Sequence, residues 1–157
     1  MVRPKNLGHL VLRVRSLDHS EQFYTDVLGL EVTSRIPGVM VFMSAGAEAS
    51  HELALMPGDA DTPTSGKDRI GLYHFAWAME SFEDLKQIYQ GLKEKGVRIG
   101  GVGDHGISLG VYFFDPDNNE IEVFYELPRS QWPKEGNIFE GKFPLGELEE
   151  EPLPRPV

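Results

Sequence analysis

The chain has no cysteine. That excludes a disulfide framework, a thiolate nucleophile and any zinc or iron–sulfur centre built on sulfur. No apolar run approaches ~18 residues, so no membrane-spanning helix is expected. The opening residues, MVRPKNLGHL, lack the apolar stretch and small-residue cleavage site of a signal peptide, and a cytoplasmic protein is the expectation. Positive charge is scarce, with 15 Lys and Arg against 25 Asp and Glu and a formal charge of −10. Phosphates are bound through clustered basic side chains, so a nucleic acid or an anionic membrane is disfavoured as a partner. What is present is 157 residues, 40% hydrophobic and 10% aromatic. That argues against disorder and suits one compact domain, able to bury ~68–70% of the unfolded chain's surface.

The chain repeats itself. A shift of 65 residues aligns His9 with His74, Ser16 with Ser81, Gln22 with Gln87, Tyr24 with Tyr89 and Val32 with Val97. Each copy opens with an extended stretch, residues 7–14 and 71–79, followed by a Ser placed to cap a helix. In the second helix Ser81 and Asp84 form a variant capping box, and Leu85, Ile88, Tyr89 and Leu92 share one face. Gly96 is placed to end it. The first helix carries Phe23, Tyr24, Val27 and Leu28 and stops at Gly29. Three extended stretches follow each helix, at 30–35, 39–44 and 52–56, then at 97–100, 110–115 and 120–126. The reading is an α+β fold of paired βαβββ modules, about 5–57 and 70–127, within one metal-binding domain over 1–127. Residues 128–157 hold six of the eleven prolines and read as an irregular tail. Trp132, Ile138, Phe139 and Phe143 are its apolar anchors on the body, and 149–157 is expected to fray.

Strand alternation separates the chemistry from the core. His9, Val11 and Arg13 point one way and Leu10, Leu12 and Val14 the other. His74, Ala76 and Ala78 oppose Phe75, Trp77 and Met79, while Glu120, Glu122, Phe124 and Glu126 oppose Ile121, Val123 and Tyr125. The bulkier face of each strand suits packing under a helix, and the other face carries a potential ligand. Two imidazoles and one carboxylate on a concave sheet make a facial triad that leaves coordination positions open. A single His on a strand is ordinarily a structural hydrogen-bonding residue, and Glu122 alone reads as a charge on a solvated face. The placement of His9 and His74 at one position of two repeats favours the triad.

These residues resemble the vicinal oxygen chelate superfamily, which includes glyoxalase I, methylmalonyl-CoA epimerase, fosfomycin and bleomycin resistance proteins and the extradiol dioxygenases. The resemblance covers about residues 5–127 and implies a cupped mixed sheet around a divalent metal held by His9, His74 and Glu122. Gly103-Asp104-His105, then Val111-Tyr112, Asp115-Pro116 and Glu122 resemble the type I extradiol ring-cleavage signature. Asn118 stands where that signature usually has Gly or Pro, and Asn tolerates a left-handed turn. His51, just before a strand, resembles the family's acid–base histidine.

The resemblance implies a dioxygenase that cleaves a catecholic ring with O2, using Fe(II) or, second, Mn(II). His9, His74 and Glu122 would hold the metal, His51 would move protons, and His105 and Tyr112 would hydrogen-bond the substrate oxygens. A homodimer or higher homo-oligomer is expected. Many extradiol enzymes carry four modules, and this chain has two. Tyr112 also occurs in non-oxygenase relatives, and His51 and His105 also read as exposed loop residues. The alternatives are another metal-dependent enzyme of the superfamily, such as a glyoxalase, an epimerase or a fosfomycin-type thiol transferase, or a metal-free drug-binding protein. His19 reads as a surface helix residue.

Overall fold

The computed structural model describes residues 2–46, 48–64, 70–141 and 148. The chain divides into two compact units, Met1–Thr64 and Ser65–Val157. The first runs β1 (Leu10–Val14), α1 (Leu17–Leu28), β2 (Glu31–Ile36), β3 (Met40–Ser44) and β4 (Leu53–Pro57). The second runs β5 (His74–Ala78), α2 (Phe82–Glu94), β6 (Ile99–Asp104), β7 (Ser108–Phe114) and β8 (Glu120–Glu126). Their sheets have the same plan, β1-β4-β3-β2 and β5-β8-β7-β6. In each, the first strand pairs in parallel with the last, and the other pairings are antiparallel. The paired βαβββ architecture expected from the repeat is the one observed.

Local chemistry sets the helix ends. The Ser16 side chain accepts the His19 amide at 3.3 Å, and Gly29 closes α1 at φ 67°. Ser81 Oγ accepts the Asp84 amide at 3.1 Å, which is the N-cap read from the sequence, and donates to Asp84 Oδ2 at 2.6 Å. His19 is exposed on α1, as expected.

Each helix covers one face of its own sheet, α1 over β3 and β4 and α2 over β8. In the first unit Leu12, Val14, Met43, Leu53 and Leu55 are buried with Tyr24. In the second, Val111, Phe113, Ile121 and Val123 are fully buried with Leu85. Each such side chain contributes ~1.5–3 kcal/mol through removal from water. Because the alternate residues are thereby committed to the core, His74, Ala76, Glu122 and Phe124 are left for the opposite face.

Some boundaries differ from expectation. His9 precedes β1 by one residue rather than lying within it. The glycine-rich 100–110 stretch, read as a loop around His105, is mostly a β-hairpin with 105–107 as its connection. Gly100 serves close approach: a Cβ there would stand 2.9 Å from the Phe114 ring. Asn118 takes the left-handed conformation, φ 69°, as the turn reading requires. Asp115 Oδ1 braces that turn by accepting the Asp117 and Asn119 amides.

In the tail, Trp132 Nε1 donates to the Leu127 carbonyl at 2.8 Å, and Trp132 and Ile138 are half-buried. Phe139 departs from its expected role as a packing anchor, since it is 63% exposed. Phe143 and residues 149–157 lie outside the described residues. Among the described residues no helix is long and apolar enough to cross a membrane.

Candidate functional site

Strand register assembles the polar cluster of the second unit. Antiparallel pairing of β7 with β8 sets Tyr112 opposite Glu122, Gly110 opposite Phe124 and Ser108 opposite Glu126. Parallel pairing of β5 with β8 brings Ala76 beside Glu122. Glu122 is only 8% exposed, so its carboxylate needs partners. Tyr112 Oη donates to Glu122 Oε1 at 2.9 Å, and His74 Nε2 lies 3.3 Å from Oε2. His105 Nε2 is 2.7 Å from Tyr112 Oη. The tyrosine has one proton and gives it to Glu122, so His105 is the donor to Tyr112 in this network. Burial first, and then the Glu122 carboxylate, push the Tyr112 hydroxyl above its usual range, so it stays a proton donor.

Gly110 makes this arrangement possible. A Cβ there would collide with Glu122 Oε1 and stand 3.2 Å from its Cδ. Sequence reasoning passed over this glycine, because its relation to Glu122 exists only across the β7–β8 pairing. Beside the cluster is a cavity of about 360 Å³ lined by Ala76, His105, Tyr112, Glu122, Phe124 and Phe139, among others. Alternation had already placed Ala76 and Phe124 on the Glu122 face, but nothing local pointed to Phe139.

The first unit holds the other two candidate histidines. The His9 and His51 rings lie 4.5 Å apart between centroids, because the Leu10 amide donates to the Glu52 carbonyl and aligns the residues before β1 and β4. His51 Nδ1 is 3.0 Å from Ser50 Oγ, and its ring meets Phe42 edge-on at 5.1 Å. His9 is exposed and His51 is half-buried. The six sequence-selected residues thus form two groups, His74, His105, Tyr112 and Glu122 in one unit and His9 with His51 in the other. Among the described residues, neither unit alone gathers three His, Asp or Glu side chains able to hold a metal ion.

The His74–Glu122 pair has the chemistry of a partial metal site. Two donors bound at ~2.1 Å to one ion stand ~3.0 Å apart at a right angle and ~3.4 Å apart at a tetrahedral one. The observed 3.3 Å falls in that interval. His74 Nδ1 is buried without a hydrogen-bond partner among the described residues, so the ring's only polar contact is made through Nε2.

The family model described as the Glyoxalase/Bleomycin resistance protein/Dioxygenase superfamily matches residues 6–123. The chain is similar to the catechol-2,3-dioxygenase of Bacillus subtilis, 34% identical over 84% of this chain and 46% of that protein. It is also similar to biphenyl-2,3-diol 1,2-dioxygenase 3 of Rhodococcus globerulus, 33% identical over 74% of this chain and 61% of that protein. The chain therefore spans less than two thirds of the length of either relative. A glyoxylase/bleomycin resistance protein/dioxygenase domain from Frankia shares the fold, with a TM-score of 0.66 and 23% identity over 79% of this chain and 99% of that one.

Proposed function

The chain belongs to the glyoxalase/bleomycin resistance protein/dioxygenase superfamily, and within it we propose that this protein is an extradiol dioxygenase cleaving a catecholic ring with O2. His9, His74 and Glu122 would hold a divalent metal, Fe(II) in first place and Mn(II) in second. When bound, that metal supplies chelation of two vicinal oxygens, lowers their pKa and offers open positions for O2.

The chain's own residues do the rest. Tyr112 holds Glu122 Oε1 and leaves Oε2 toward His74, which fixes the rotation of the carboxylate. His105 donates to Tyr112 in turn and stands at the wall of the cavity, where substrate oxygens would lie. His51, whose ring lies tilted beside that of His9, would take a proton from a substrate hydroxyl and return it later, since imidazole exchanges protons near neutral pH. A homodimer or higher homo-oligomer is the proposed assembly.

The observation that carries this reading is the His105–Tyr112–Glu122 hydrogen-bonded chain ending on His74. A structural carboxylate on a solvated strand would need no such support. The experiment loads the protein with iron(II) anaerobically, adds monocyclic and bicyclic catechols with O2, and records oxygen uptake and the yellow ring-fission product. Oxygen uptake matched by product supports the reading. Absence of uptake across the panel, with one equivalent of metal bound and the chain folded, refutes it in favour of another superfamily chemistry. Absence of bound metal under all loading conditions points to the metal-free binding protein.

A further inference from the structure

The tail reaches the cavity through a fixed backbone contact. Gly106, at φ 93°, and Gly141 face each other's segments so closely that neither tolerates a side chain. A Cβ on Gly106 would strike the Ile138 carbonyl, and one on Gly141 would strike the Asp104 carbonyl. The segment 138–141 is thus pressed backbone to backbone on the connection that carries His105. Asn137 shapes it, accepting the Phe139 amide on Oδ1 at 3.1 Å and the Glu140 amide on its carbonyl at 3.3 Å. Gly141 N donates to the Phe139 carbonyl at 3.1 Å. Asp104 Oδ1 holds the opposite side by accepting the Gly106 amide at 2.7 Å.

The product of this clasp is the position of Phe139. The residue is 63% exposed, yet it lines the same cavity as His105, Tyr112 and Glu122. A large apolar side chain held by a braced turn and left uncovered has surface to lose when an apolar ligand arrives. The lining also includes two small residues, Ala76 on β5 and Ser108 on β7, on the two strands that flank β8. Glu126 stands at the Ser108 end of the cavity, opposite that residue in the β7–β8 register, and disfavours an anionic substituent there.

We propose that the segment 138–141 is a wall of the substrate pocket and that Phe139 determines specificity by stacking on an uncharged aromatic ring remote from the Glu122 end. The substrate class so selected is a neutral bicyclic or aryl-substituted diol, in preference to one bearing a carboxylate. This rests on the catechol reading above for the identity of the diol, and on the tail geometry for the ring contact.

The test uses the full chain and two readouts. The first is binding of 2,3-dihydroxynaphthalene to the metal-free protein, followed by the probe's fluorescence. Phe139→Ala should weaken binding by about 2- to 12-fold, the range expected for a lost aromatic pair, and Phe139→Tyr should restore it. Gly141→Ala, which lifts the segment from the Asp104 carbonyl, should weaken binding similarly and hasten proteolytic cleavage within 133–141. The second readout is KM in the iron-loaded enzyme, which Phe139→Ala should raise for bicyclic diols while kcat and metal content stay within twofold. Probe binding that depends on Phe139 without oxygen uptake would sustain the pocket wall and overturn the dioxygenase reading. Turnover with KM and probe affinity unchanged in Phe139→Ala would sustain the dioxygenase and overturn the wall. No probe binding by the unsubstituted protein overturns the wall outright.

Discussion

Substituting Gly110 by alanine adds one methyl group and should cost the protein its metal. A Cβ at this position overlaps Glu122 Oε1 and crowds Cδ at 3.2 Å and Cγ at 3.4 Å. The β7 backbone cannot yield easily, because it is paired on both sides, to β6 and to β8. The carboxylate must therefore swing off the Tyr112 hydroxyl, losing a buried hydrogen bond to a charged group worth ~1.5–3 kcal/mol. Replacing glycine within a strand returns ~0.5–1 kcal/mol of chain entropy. The net loss is ~0.5–2.5 kcal/mol, or a fall in Tm of roughly 1–10 °C for a chain of this size. Displacement of the group that orients a metal ligand weakens metal binding by ~10–100-fold. Calorimetric titration with Mn(II), beside a thermal melt, measures both. Gly101→Ala is the matched control, since a Cβ there meets nothing within 4 Å. Unchanged melting and unchanged metal affinity in Gly110→Ala would refute the placement of the Glu122 carboxylate.

Three further expectations are open to direct measurement. His9→Ala, His74→Ala and Glu122→Ala should each lose most bound metal by elemental analysis while keeping a cooperative melt, because the core face of each strand is untouched; full metal retention by His9→Ala would remove it from the ligand set. His51→Gln should keep the metal and bind catechol but turn over ~10²–10⁴-fold more slowly, as expected for loss of a general acid–base group; full activity would overturn its role in proton transfer. The raised Tyr112 pKa implies stability that is fully present below the unfolded value of ~10 and is lost as pH climbs beyond it. Melts of the metal-free protein should therefore fall more steeply above pH ~10 than those of Tyr112→Phe, and parallel alkaline slopes would contradict the burial argument.

The parts of this protein legible in its sequence are those that depend on neighbours a few residues apart. The alternation of 120–126 named both faces of β8 and its bounds, because a side-chain period of two is a property of one strand. Ser81 with Asp84, and Gly29 after Leu28, marked helix ends, because caps are satisfied within one turn. The repeat implied two copies of one plan, and the two sheets have the same strand order. Tertiary structure alone decided what stands across a register. Glycine is depleted in strands, so 100–110 read as a loop, and only pairing with β7 made residues 99–104 a strand. Tyr112 meets Glu122 ten residues away, and Gly110 leaves space for that carboxylate, through the offset between β7 and β8. Phe139 reaches the cavity because Gly106 and Gly141, far apart in the chain, let two backbones touch. Such contacts depend on the summed geometry of all the intervening chain, and no local pattern encodes that sum.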